Sequence, residues 1–170
     1  MLEILKIILP AALVIVAAYL ILTKMLTRDE NRLRLELAKA NQSVALPLRL
    51  AAYERLALLL ERTMPSTLLI ASFTTQMTCL ELQQKLTETI RKEFQHNATQ
   101  QIYVSIQLWR AIRTSEESLL GLINTCSGQL NPNDNATMLA EMLINVFSAT
   151  ENTPSEMALE MLKNEVRTII

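Results

Sequence analysis

His96 is the only histidine in this chain, and it stands three positions after Glu93 in the stretch EFQHNATQQ, residues 93–101. Glu-x-x-His on one helical face is half of a carboxylate-bridged di-metal site, which needs a second such motif and two further glutamates. One histidine per chain supplies that second half only across a homodimer. The competing reading is a helix end. An imidazolium in the last turn meets the negative end of the helix dipole, and Asn97 is suited to the left-handed conformation that stops helices. A metal-dependent enzyme using Glu93 and His96 is therefore the alternative reading, and capping the preferred one.

Thiol chemistry fares no better. Cys79 and Cys126 lie far apart and form no zinc spacing. Cys79 stands about 25 Å from His96 by helical rise if one helix carries both, and Cys126 has no local basic residue to lower its pKa. Gly121 and Gly128 are the only glycines, so neither a G-x-G-x-x-G turn nor a P-loop can be written. Nucleotide binding through a Gly-rich loop is excluded, and the sequence points to no catalytic residue and no cofactor.

Partner-binding chemistry has better candidates. Met138 with Met142 and Met157 with Met161 stand at i,i+4 on two successive segments. Such thioether pairs suit an adaptable groove for a partner peptide; packing between the two segments is the competing role. Leu33, Leu37, Ala40 and Val44 recur at spacings of four, three and four, a coiled-coil-like seam of about two heptads suited to oligomerisation. Phe94, Tyr103 and Trp109 read as core aromatics.

The elements that must position these residues are helical. Half of the residues are hydrophobic, with few aromatics and only two glycines, a profile that favours helices over sheets. Residues 4–22 carry twelve Leu, Ile and Val, with no charge from Ile7 to Leu22. As a helix they span roughly 28 Å, close to the hydrocarbon thickness. The apolar run continues past Val16-Ala17-Ala18, which favours an uncleaved anchor over a signal peptide. Lys24, Arg28, Arg32 and Arg34 follow the run and only Lys6 precedes it. The positive-inside rule then puts the C-terminal part in the cytoplasm, where the two thiols stay reduced.

The expected organisation is a transmembrane anchor over 1–25, a juxtamembrane helix over 26–46 and a helical cytoplasmic domain over 47–170. Thr27 is a possible start for the second piece and Pro47 its expected stop. Beyond Pro47 a helix is expected with Leu50, Tyr53, Ala57, Leu60 and Met64 inward. Residues 65–77 remain ambiguous. Thr78-Cys79-Leu80-Glu81 makes a capping box for a helix with Leu82, Leu86, Ile90 and Phe94 inward. Residues 100–104 read as a linker and Ser105 as the next N-cap. The helix it opens is expected to face Trp109, Ile112, Leu119, Leu120 and Ile123 inward and Arg110, Arg113, Glu116 and Glu117 outward, ending at Gly128 in a left-handed C′ conformation. A helical hairpin follows, its second helix opened by the capping box Thr153-Pro154-Ser155-Glu156. The class is all-α: an N-terminal transmembrane helix and a cytoplasmic bundle of about five helices.

Charge is uneven. Residues 24–62 balance at +3 and residues 114–170 at −6. The basic half would suit an anionic leaflet and the acidic half would disfavour nucleic acid, but ordinary solvated helix faces are the preferred reading of both.

The stretches PLRLAAYERLALLLERTMPSTLLI (47–70) and LQQKLTETIRKEFQHNATQQIYVSIQLW (82–109) resemble an uncharacterised family of small membrane-anchored proteins from Bacteroidetes. The likeness covers roughly residues 46–125, with QQIYVS and the following tryptophan its most specific part. An acidic residue is common in that family where this chain has Gln95. The resemblance implies a bacterial inner-membrane protein with one span and a helical cytoplasmic domain, and it carries over no catalytic residue. Together these readings lead to a membrane-anchored binding or scaffold module that contacts a protein partner or itself at the cytoplasmic face. The seam offers a further alternative, an oligomerising structural subunit of an envelope complex.

Overall fold

The structure is a computed structural model that describes the backbone of residues 2–169, with side chains described for 19, 20, 22–25, 28, 32–37, 39, 40 and 42–169. Among the described residues it is all-helical: α1 Leu2–Arg62, α2 Pro65–Ser72, α3 Cys79–Asn97, a 3-10 turn Ala98–Ile102, α4 Ile106–Ser127, α5 Ala136–Ala149 and α6 Pro154–Arg167. The chain divides into two compact units, 1–47 and 48–170.

In the first unit, α1 runs on without a stop at Thr27 or at Pro47, against both expectations. Proline inside a helix removes one N–H, here the donor for the Ser43 carbonyl, and crowds that carbonyl with its ring. The following turns bury Ala52, Tyr53 and Leu56, and that burial offsets the lost bond. Leu33, Leu37, Ala40 and Val44 are all exposed, along with Leu35. Among the described residues no helix is long and apolar enough to cross a membrane. The expected span, 4–22, falls largely on residues whose side chains lie outside those described.

The second unit has one core. Its first helical stretch contributes Tyr53, Leu56, Leu59 and Leu60; α3 adds Leu82, Leu86, Ile90 and Phe94; α4 adds Leu108, Ile112, Leu119 and Ile123. The inward stripe of α1 is broader than the expected one: Tyr53 and Leu60 are buried as expected, Ala52, Leu56, Leu59 and Thr63 are buried with them, and Leu50, Ala57 and Met64 are only half-buried. The ambiguous stretch after Pro65 becomes α2, with proline in its first turn, where a missing N–H costs nothing. It rests on α3 and α5.

Both capping boxes form. Thr78 Oγ1 accepts from the Glu81 N–H at 3.3 Å while Glu81 accepts from the Thr78 N–H at 2.9 Å. Thr153 and Glu156 repeat the exchange at 3.3 and 2.9 Å. Two helix ends differ from expectation. The residues after Asn97 tighten into the 3-10 turn, so Asn97 keeps φ −96° and is not left-handed. Its side chain is buried and donates to the Glu93 carbonyl at 2.9 Å. Gly128 is likewise right-handed, at φ −65°, because α4 ends in tight turns, with Gln129 N–H on the Cys126 carbonyl at 3.2 Å and Leu130 N–H on Ser127 at 3.2 Å. Among the described residues the left-handed one is Asn152, φ 55°, in the turn before α6, a conformation asparagine tolerates better than most side chains.

Helices α5 and α6 do not form the expected hairpin. Each packs against α4, α6 most extensively, and α5 also against α3 and α2. Glu116, expected outward on α4, is only 7% exposed and pairs with Arg113.

Candidate functional site

His96 lies exposed in the last turn of α3 with Glu93 half-buried one turn earlier. Among the described residues no three of His, Cys, Asp or Glu gather as a metal site. Cys79 opens α3 and its thiol donates to the Asn135 carbonyl at 3.4 Å; Cys126 is buried near the end of α4, and burial pushes its thiol up. A buried thiol with a raised pKa is a poor nucleophile at neutral pH.

The methionines do not face one another across packed helices, since α5 and α6 both turn their buried faces toward α4. Met138, Met157 and Met161 are exposed and Met142 half-buried. Buried Leu139 and Leu143 on α5, and Ala158, Leu159 and Leu162 on α6, carry the packing instead.

What the fold does bring together is a polar network at the junction of α1, α4 and α6. Glu165 on α6 accepts the Tyr53 hydroxyl at 2.7 Å and the Ser105 N–H at 2.8 Å. Its second oxygen accepts the Ser105 hydroxyl. Ser105 is the N-cap of α4, so the same Oγ accepts from the Leu108 N–H at 3.2 Å. Glu165 thus places its charge at the positive end of the α4 dipole. Arg49 completes the network: Nη2 donates to the Tyr53 hydroxyl at 3.0 Å and Nε to the Tyr103 carbonyl at 3.3 Å. The guanidinium lies 5.9 Å from the Tyr53 ring centre, within cation–π range.

The electrostatics follow from these partners. Burial alone would raise the Glu165 pKa, but hydrogen bonds from Ser105 and Tyr53 and the charge of Arg49 hold it below the usual carboxylate range. Tyr53 goes the other way: burial and the hydrogen bond to Glu165 push it up, against the opposing pull of Arg49. A carboxylate held ionised in this way is a weak base, and the Ser105 hydroxyl is already committed to its cap. The arrangement is built to fasten three helices rather than to move protons.

Sequence reasoning placed Ser105 as a cap and Tyr53 inward, but it did not single out Arg49 or Glu165. The available signal was on α6: Ala158, Leu162, Glu165 and Ile169 share one helical face, and a carboxylate on an apolar stripe needs a donor from another element.

Beside the network runs an open groove of about 530 Å³ between α1 and α6. Leu50, Ala57, Leu162 and Val166 give it apolar walls; Glu54 rims the α1 side, Lys163 and Arg167 the α6 side. By contrast, the void enclosed by α2, α3, α4 and α5 is about 10 Å³, room for no more than about one water.

An all-helical bundle with side-chain caps and a polar network joining three helices, a lone histidine and two buried thiols, defines a class by fold and not by an activity. The chain belongs to DUF7935, a family of unknown function whose model matches residues 1–169. No curated protein and no solved structure matches it.

Proposed function

We propose that this protein is a single-pass inner-membrane protein of a bacterium, and that its helical domain serves as a binding or scaffold module contacting a protein partner or a second copy at the cytoplasmic face. The observation that carries the reading is the uncharged run from Ile7 to Leu22, followed by Lys24, Arg28, Arg32 and Arg34. A run of that length and composition favours insertion, and the basic flank favours retention on the cytoplasmic side. The exposed apolar side chains of the domain support the binding half of the reading. Met138, Met157 and Met161 stay exposed while neighbouring Leu139, Leu143 and Leu162 are buried. Exposed Leu33, Leu37, Ala40 and Val44 likewise suit contact with another helix.

The test is fractionation. The full chain is expected in the alkaline-washed membrane pellet, and a chain lacking residues 1–25 in the supernatant. A cysteine added after Ile170 is expected to resist impermeant thiol reagents in intact cells. Recovery of the full chain in the wash overturns the anchor, and ready labelling reverses the orientation.

A further inference from the structure

A cavity of about 100 Å³ opens between the middle of α4, the last turn of α5 and the first turn of α6. Leu119, Leu122, Phe147 and Pro154 give it apolar walls, and exposed Ser118 marks its open side. Two buried hydroxyls line it as well. That of Thr153 is committed: it accepts from the Glu156 N–H at 3.3 Å and donates to the Glu156 carboxylate at 2.9 Å. That of Ser155, a residue only 1% exposed, has no partner among the described residues. No side-chain oxygen shut off from open space is left without a partner among them, so the Ser155 hydroxyl is where this residue meets the cavity. Its N–H is left over in the same way. A helix start leaves its first N–H groups without partners inside the helix. In α6 the Thr153 N–H goes to the Glu156 carboxylate at 2.9 Å, the Glu156 N–H goes to the Thr153 hydroxyl, and Pro154 has none. Ser155 holds the donor that remains. Helix α3 opens with the same capping box, and there the corresponding N–H, that of Leu80, goes to the Pro132 carbonyl at 3.1 Å.

We infer that this cavity binds a small uncharged group through a carbonyl oxygen, held by the hydroxyl and the N–H of Ser155. A carbonyl oxygen has two lone pairs to receive two donors. It does at α6 what the Pro132 carbonyl does at α3. A carboxylate fits worse, because no basic side chain lines the cavity and Glu156 keeps its own negative charge one residue from Ser155. Burying an anion without a cation costs far more than burying an amide that is hydrogen-bonded. Size sets the rest: an apolar cavity of about 150 Å³ takes benzene, so this smaller one suits a group of about five heavy atoms. Propionamide, a carbonyl on a short aliphatic body, has that form, whether as a free compound or as the side-chain amide of a partner's glutamine.

The experiment uses the full chain in mild detergent with isotope-labelled serine, and the amide resonance of Ser155 is identified by its loss in Ser155→Ala. Propionamide is expected to move that resonance along a saturable curve in the millimolar range, the affinity open to a ligand of about five heavy atoms. Propionate, alike in shape but charged, is expected to bind about tenfold more weakly. Saturation transfer from the protein to propionamide is expected to vanish in Ser155→Ala. It should vanish also in Ser118→Trp, which closes the open side at an exposed position and leaves the Ser155 donors and the core in place. A glutamine capped at both ends separates the two sources. Binding as tight as that of propionamide points to a partner's side chain and binding about tenfold weaker to a free compound; either supports the site. A Ser155 resonance that propionamide leaves in place shows a cavity that holds water alone and overturns the inference. An equal response to propionate, or a response that survives Ser118→Trp, overturns it as well.

Discussion

Replacing Glu165 dissects the network that fastens α6 to α1 and α4. The carboxylate accepts from the Tyr53 hydroxyl and from both the N–H and the hydroxyl of Ser105. Hydrogen bonds to a charged acceptor contribute about 1.5–3 kcal/mol each, and neutral ones about half that. Glu165→Gln keeps the size and loses the charge, so it forfeits roughly 1 kcal/mol at each well-formed bond. The residue is half-exposed, and water screening brings the expected cost to about 1–2 kcal/mol. Glu165→Ala leaves the Ser105 N–H and the Tyr53 hydroxyl to water and is expected to cost about 2–3 kcal/mol. Urea unfolding followed by Trp109 fluorescence measures both, since the sole tryptophan sits half-buried on α4, four residues after Ser105. The double variant Tyr53→Phe/Glu165→Gln should lose about 1 kcal/mol less than the sum of its parts, because the two share one bond. The pH dependence has a definite sign. Because the folded-state pKa of Glu165 is depressed, its contribution is present above the unfolded carboxylate value and is lost as pH falls through the folded one. Tyr53, raised by burial, contributes below its unfolded value, and that stability disappears as pH rises through the folded one. Glu165→Gln should therefore flatten the acid limb of the stability profile. A loss under about 0.5 kcal/mol for both single variants, with additive behaviour in the double, would refute the argument that these bonds fasten the helices.

Three further outcomes are expected. Leu86→Ala opens the small void it shares with Leu119, Ile123 and Leu143 and should cost about 3–4 kcal/mol by chemical denaturation, as large-to-small changes in close-packed cores do. Thr153→Ala removes the hydroxyl that accepts from the Glu156 N–H and should cost about 1 kcal/mol, with Thr153→Ser restoring most of it. Both thiols are buried, and Cys126 is pushed up by that burial, so a maleimide at pH 8 should label neither in the folded protein and both in urea; rapid native labelling would show that α4 opens locally near its end.

Much of this bundle was legible in the order of residues, for local reasons. A threonine followed three positions later by glutamate folds back on itself wherever the chain is helical, so the boxes at Thr78 and Thr153 needed no tertiary knowledge. The four-residue repeat of Leu82, Leu86, Ile90 and Phe94 marked a single buried face because each side chain answers to the same helical period. The helix starting at Pro65 was harder, since a segment of eight residues carries too few turns for periodicity to separate helix from a short extended run. Pro47 misled for a related reason. Propensity prices the lost hydrogen bond but not the burial of the turns that follow, and tertiary packing decided the balance.

Position in space is what the order of residues left open. Nothing local distinguishes Met157, which stays exposed, from Leu159 and Leu162, which are buried; an apolar residue on a helix is an offer that only a neighbour takes up. Glu165 could be seen standing on an apolar stripe, but its donors come from Tyr53 and Ser105, 112 and 60 positions away. Caps and periodicity follow from bonds between residues three or four apart, which the chain carries wherever it goes. The polar network and the groove depend on which helix faces reach one another once the core has closed, and that is a property of the packed whole.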